Sequence, residues 1–282
     1  MGKLPDFIIA GIEKSGTTSL FANLPKHSRI EMTPNAFKYM MLGKMNNLKE
    51  PHFYNKNWPK GVLWYKGLFN DNGKIQGEAA SNYLFKEESI KRMASVVPGA
   101  KIIVSLRNPV ARAYSQYNSF KEPFRRSLSV KLGQLSHDKA LLVRMAKLRN
   151  LGFDEILRKE IDKGINAEGG IIIAKGLYIG LIENLLKYYP RPQVLIIISE
   201  QMRRDMQGVY DQIFDFLGAE REKINFDMHV HAGKYDDRMS PWARKTLNGI
   251  YGPANERLFN LLGFRVPEWE IQDERATLYS QR

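Results

Sequence analysis

Apolar residues along this chain fall into short unbroken runs separated by stretches of helical period. The runs are DFIIAG at 6–11, KIIVSLR at 101–107 and QVLIIISE at 193–200, each followed by a polar turn and then a helical pattern. A strand that is apolar on both faces must be covered on both faces, as in a parallel sheet. IQGEAAS at 75–81 reads as a fourth, weaker strand. Amphipathic stretches at 18–24, 86–97, 109–120, 138–163, 176–189, 206–217 and 241–262 predict helices. Strands alternating with helices predict an α/β fold: one domain over 1–282, with a central parallel sheet flanked by helices. No repeat or low-complexity linker divides it. The polar, basic stretch 121–137 and the helical pattern behind it, to 165, read as a flap or helical insertion.

Composition narrows the classes. The chain has 282 residues, 43% of them hydrophobic, enough for a sizeable core. No apolar run approaches the roughly 20 residues that a membrane-spanning helix needs. Glu13 and Lys14 break the first apolar stretch, so no signal peptide is expected either. Without cysteine there is no disulfide, thiolate nucleophile or cysteine-ligated zinc. A soluble, cytoplasmic protein without membrane insertion is the resulting expectation. The formal charge of +13 asks for an anionic partner, either nucleic acid or an acidic small molecule. Lys and Arg are scattered, with pairs at Arg125–Arg126 and Arg203–Arg204 but no long basic run, and most read as solvated surface.

In open parallel sheets, ligands bind beyond the carboxyl ends of the strands. That rim takes in residues 11–18, 78–83, 107–115 and 199–204. The first segment, GIEKSGTTSL at 11–20, has the glycines and hydroxyls of a phosphate loop, but Lys14 precedes Gly16 where a nucleotide triphosphatase has Gly-Lys-Ser/Thr. Gly16 permits close backbone approach, the helix predicted after it offers free N–H groups, and Thr17 and Thr18 add hydroxyls. Lys14 can reach the far side of a bound anion. In the second segment, LRNPVARAYSQY at 106–117, Asn108 is a good helix cap and Pro109 fits the first turn. Ser115 lies two turns after Asn108 on the same face, so Arg107 and Ser115 can converge on a second anion. Two anion sites on one rim suit a ligand phosphorylated at two positions. The alternatives are a P-loop nucleotide kinase or NTPase, against which the missing Gly-Lys-Ser/Thr counts, and a basic nucleic-acid-binding module, for which base-reading motifs are absent.

Together the two segments resemble the signature of sulfotransferases that use 3′-phosphoadenosine 5′-phosphosulfate (PAPS). KEPHFY at 49–54, GVLWYKGLF at 61–69, GEAASNYLF at 77–85, YDQIFDFLG and ERLFNLLG are similar to blocks of the branch containing the heparan sulfate sulfotransferases and their bacterial relatives. The resemblance implies a P-loop-kinase-like sulfotransferase fold. It also implies PAPS as co-substrate, 3′-phosphoadenosine 5′-phosphate (PAP) as product, and no metal. Lys14 would contact the bridging oxygen and sulfuryl group; Ser15, Gly16, Thr17, Thr18 and Ser19 would line the 5′-phosphate; Arg107 and Ser115 would hold the 3′-phosphate. Arg238, in HAGKYDDRMSP at 231–241, would close over the nucleotide, and Glu50 would be the general base, with His52 the alternative. The acceptor would be a hydroxyl or an amine of a small-molecule natural product or carbohydrate, not nucleic acid. Two departures bear on a heparan-like acceptor: Ala79 stands where members acting on heparan sulfate usually have lysine, and the late loop lacks a clear Lys-Gly-Arg triplet.

Other conspicuous residues have plainer readings. Glu200 reads as a hydrogen-bonding group organising a strand end rather than an ATPase acid. Tyr178, Tyr188 and Tyr189 read mostly as core, and Tyr83 and Trp64 as packing or as walls of an acceptor cleft. His231, in HVH at 229–231, is a weak site candidate.

Overall fold

A computed structural model describes residues 2–33, 50–121, 150–165, 170–227 and 238–270, with the side chain of Lys121 left aside. Five parallel strands form the sheet: β1 (Phe7–Gly11), β2 (Ile30–Met32), β3 (Ile75–Ala79), β4 (Lys101–Leu106) and β5 (Val194–Ile198), in the order β2-β3-β1-β4-β5. β1 lies between β3 and β4, so the chain moves outward from it in both directions. Its carboxyl end is the switch point where such sheets take ligands.

Helices cover both faces. They are α1 (Thr17–Asn23), α2 (Gly61–Lys66), α3 (Glu87–Val96), α4 (Pro109–Lys121), α5 (Phe153–Asp162), α6 (Tyr178–Leu186), α7 (Ser199–Arg204), α8 (Met206–Leu217), α9 (Pro241–Leu262) and α10 (Pro267–Glu270). Side chains alternate along each strand. Ile8, Ile102, Val104, Ile196 and Ile198 therefore pack with residues of α3 and α6, while Phe7, Ile9, Ile103 and Ile197 pack with α1 and α8. A third apolar cluster joins Ala113, Tyr117, Phe153, Leu157, Leu247 and Tyr251 from α4, α5 and α9. The unbroken apolar runs are thus explained by burial on two sides.

The four predicted strands form within a residue or two of their expected limits, with one correction. The run 193–200 leaves the sheet after Ile198, and Ser199 and Glu200 open α7 instead. β2 is an edge strand of three residues, too short to show a period, and α2 and α7 have only six residues each. These were invisible to periodicity for the same reason. The predicted helix 138–163 is described only as α5, and most of the expected flap lies outside the described residues. Among the described residues, no helix is long and apolar enough to cross a membrane.

Candidate active site

The loop after β1 is built by backbone bonds to the neighbouring strand. Ile12 N–H donates to Ser105 O at 3.0 Å, and the Ser105 hydroxyl donates to Ser15 O. Gly16, with φ 94°, turns the chain into α1, whose first helical bond runs from Leu20 N–H to Gly16 O at 3.2 Å. Ser15 and Thr17 are buried, and Thr18 and Ser19 are half-buried. Lys14 has φ 68° and His52 φ 49°. A left-handed conformation in a non-glycine residue costs energy and tends to gather at functional sites. Both are residues singled out from the sequence.

Arg107, at the end of β4, joins the two anion segments. Its Nη1 donates to Lys14 O at 3.3 Å, while its Nε is buried with no hydrogen-bond partner among the described residues. Asn108 caps α4 as expected, its Oδ1 accepting Val110 N–H at 3.0 Å and Ala111 N–H at 3.1 Å. Glu200 fixes this corner: it accepts Asn108 N–H at 3.0 Å and Trp269 Nε1–H at 3.3 Å. The hydrogen-bonding reading of Glu200 is therefore the one the structure shows. Tyr178 hydroxyl donates to Arg107 O at 2.8 Å, and Ser115 is buried on α4.

Glu50 sits beside the turn that follows β3. The Ser81 hydroxyl lies 3.0 Å from both of its carboxylate oxygens, and Ser81 N–H donates to it at 3.3 Å. His52 Nε2 lies 3.5 Å from Glu50 Oε2. Asn82 Oδ1 accepts Asn55 Nδ2–H at 2.9 Å and faces His52 Nδ1 at 3.2 Å. An oxygen acceptor there places the proton of a neutral His52 on Nδ1 and turns Nε2 toward Glu50. Ser81 and Asn82 were legible only as members of the rim segment 78–83, because neither residue type signals a role until Glu50 and His52 are folded against it.

Further ionisable residues surround these segments. Lys175 Nζ pairs with Glu13 at 2.5 Å and lies 4.7 Å from the centre of the Phe85 ring. The segment carrying Lys175 is clamped by Glu160, which accepts the N–H groups of Ile171, Ile172 and Ile173, and by buried Arg112, which donates to Ile172 O. Glu78 is fully buried, and the Tyr65 and Tyr83 hydroxyls hydrogen-bond its carboxyl. Burial pushes its pKa up to about 8, against the lowering effect of the tyrosine bonds and with a smaller upward push from Glu50. Tyr83 and Tyr178 are thus buried with hydrogen-bonded hydroxyls, while Trp64 is half-buried. Arg238 is exposed, and no hydrogen bond joins it to the loop among the described residues. His229, His231 and the Arg125–Arg126 pair lie outside the described residues. No group of three or more His, Cys, Asp or Glu able to hold a metal occurs among the described residues.

The chain is similar to known proteins. The family profile "Sulfotransferase domain" matches residues 4–238. The human bifunctional heparan sulfate N-deacetylase/N-sulfotransferase 3 is 31% identical over 96% of this chain, and mouse heparan sulfate glucosamine 3-O-sulfotransferase 6 is 29% identical over 82%. The chain spans 32% of the former's length and 57% of the latter's. A crystal structure of a sulfotransferase from Alicyclobacillus acidocaldarius superposes with TM-score 0.68 and 27% identity, covering 95% of this chain and 100% of that one. By the extent of the family match and of the likeness to the human enzyme, this chain belongs to the PAPS-dependent sulfotransferase family.

Proposed function

We propose that the protein transfers a sulfuryl group from PAPS to a hydroxyl or amine of a carbohydrate acceptor. The observation that carries this reading is Arg107, which holds the backbone of Lys14 through Nη1 and keeps Nε buried without a partner among the described residues. An orphaned guanidinium N–H is the donor that a phosphate oxygen satisfies with a charge-assisted bond. Bound PAPS supplies a sulfuryl group that is already activated. The residues 15–19 would hold its 5′-phosphate, Arg107 and Ser115 its 3′-phosphate, and Arg238 would close over the nucleotide. Lys14 is suited to neutralise charge on the bridging oxygen, since sulfuryl transfer resembles phosphoryl transfer in depending on positioning and charge stabilisation. Glu50 would take the proton of the acceptor, held in place by Ser81. The relatives named for heparan sulfate favour a glycan over a small natural product.

Calorimetry without magnesium tests the nucleotide half of this reading. PAP should bind far more tightly than AMP or ATP, and Arg107→Ala should remove most of that preference. Loss of a charge-assisted hydrogen bond costs on the order of 1.5–3 kcal/mol, which is roughly 10- to 150-fold in affinity. Equal affinity for PAP and AMP would overturn the assignment. A panel of glycosaminoglycan fragments, neutral oligosaccharides and small alcohols, incubated with labelled PAPS, tests the acceptor half. Labelling confined to the small alcohols would refute a carbohydrate acceptor.

A further inference from the structure

The blocks around residues 50–54, 61–66 and 77–83 meet around one buried carboxyl. Glu78 stands in β3 beside Ile8 of β1, fully buried. The titratable groups facing it are Tyr65 from α2, Tyr83 from the turn after β3, and Tyr54 and Glu50 from the turn before α2. No cation pairs with it among the described residues. A lone buried charge is costly and such a group tends to neutralise. Burial raises the Glu78 pKa to about 8, so near neutral pH it is mostly an uncharged acid.

Tyr83 connects this acid to the candidate base. Its hydroxyl hydrogen-bonds Glu78 at 3.2 Å and accepts Phe53 N–H at 2.9 Å. The backbone next to His52 is thereby hung from a hydroxyl that Glu78 orients. Phe53 also stacks on Tyr65 at 4.2 Å, and Tyr54 packs edge-on against Tyr65 and Tyr83 at 5.2 Å from each. Such support is what the left-handed His52 backbone requires, because strain of that kind persists only where its surroundings hold it.

We propose that Glu78 is a positioning residue: through Tyr83 it fixes the turn that presents Glu50 and His52 to the acceptor. The inference rests on the reading of Glu50 as base. Ionisation of Glu78 puts a buried negative charge with no cation partner among the described residues behind that turn, a cost that the tyrosine bonds only partly offset, so the support of the turn weakens on the alkaline side.

Tyr83→Phe, Glu78→Gln and Glu50→Gln, each in the full chain, test it. Sulfuryl transfer is measured with the acceptor found in the panel, PAP affinity by calorimetry, and the fluorescence of the PAP-saturated protein against pH. Trp58 and Trp64, whose rings lie 5.3 and 6.2 Å from Phe53, report on the turn. Tyr83→Phe is expected to lower kcat roughly 10- to 100-fold, the scale on which small misplacements act, with PAP affinity unchanged. Glu78→Gln, which keeps the size and neutrality of the acid, is expected to retain the rate at neutral pH. It should lose both the fall in rate and the fluorescence change expected of wild type as pH rises through about 8. A purely architectural role would lower stability without splitting kcat from nucleotide affinity and without touching the alkaline limb. Wild-type kcat in Tyr83→Phe, or an alkaline transition shared by wild type and Glu78→Gln, overturns the inference. Full activity in Glu50→Gln overturns the base assignment instead. If Tyr83→Phe fails to fold, the fluorescence transition in wild type and Glu78→Gln decides.

Discussion

Glu50 and His52 are one residue apart, 3.5 Å from each other, and fixed from different directions by Ser81 and Asn82. We propose Glu50 rather than His52 as the base. Its carboxyl accepts hydrogen bonds from Ser81, whereas His52 has one nitrogen facing Asn82 and the other turned toward Glu50. Glu50→Gln keeps the size and most of the hydrogen bonding but cannot accept the acceptor's proton. Its turnover is expected to fall roughly 10²–10⁴-fold, with PAP affinity near that of wild type. His52→Ala is the control. A collapse there, with nearly full activity in Glu50→Gln, would move the role to the histidine; full activity in both would mean that the acceptor arrives already nucleophilic.

Among elements, the pairing of β3 with β1 decides where the site stands. Register sets Phe7 opposite Gly77 and Ile8 opposite Glu78, so the loop after β1 and the turn after β3 emerge side by side. Gly77 makes this pairing close. A Cβ there would lie 2.1 Å from the Phe7 ring, whose own surroundings are the fully buried cluster against α1 and α8. Gly77→Ala should therefore destabilise the fold by overpacking, typically about 1–3 kcal/mol. A lower melting temperature, with unchanged PAP affinity in the folded protein, is the expected result. An unchanged melting temperature would show that Phe7 moves aside more easily than its burial implies. The same register explains the glycine of the 77–85 block without any appeal to chemistry.

The whole molecule carries the ionisation of Glu78 as a stability effect. Its folded pKa of about 8 exceeds the ordinary value of 4.5, so the folded chain holds that proton more tightly than the unfolded chain. The contribution is fully favourable below about pH 4.5 and is lost as pH rises toward about 8. At about 1.4 kcal/mol per pH unit, this amounts to a few kcal/mol on an order-of-magnitude scale. Denaturant midpoints measured across this range should fall with pH in wild type and fall much less in Glu78→Gln. Parallel slopes in the two proteins would mean that the carboxyl ionises without penalty. This loss of stability runs in the same direction as the loosening of the base turn expected from the positioning role.

Local rules were enough for several features of this protein. A β-strand buried on both faces must be apolar throughout, so β1, β4 and β5 announce themselves, and with them a parallel sheet and its binding rim. The Gly16 turn and the Asn108-Pro109 cap are also local, since each depends on the backbone needs of neighbouring residues. β2, α2 and α7 were not legible, because elements of three to six residues show no period and form only when their neighbours bury them. Relations between distant residues were equally hidden. Arg107 reaching Lys14, Ser81 holding Glu50, and Tyr83 linking Glu78 to Phe53 join segments whose approach depends on strand order and register. Glu78 is the sharpest case. In sequence it is one more carboxylate, and only enclosure by three tyrosines, away from water and from any cation among the described residues, makes it an acid that keeps its proton.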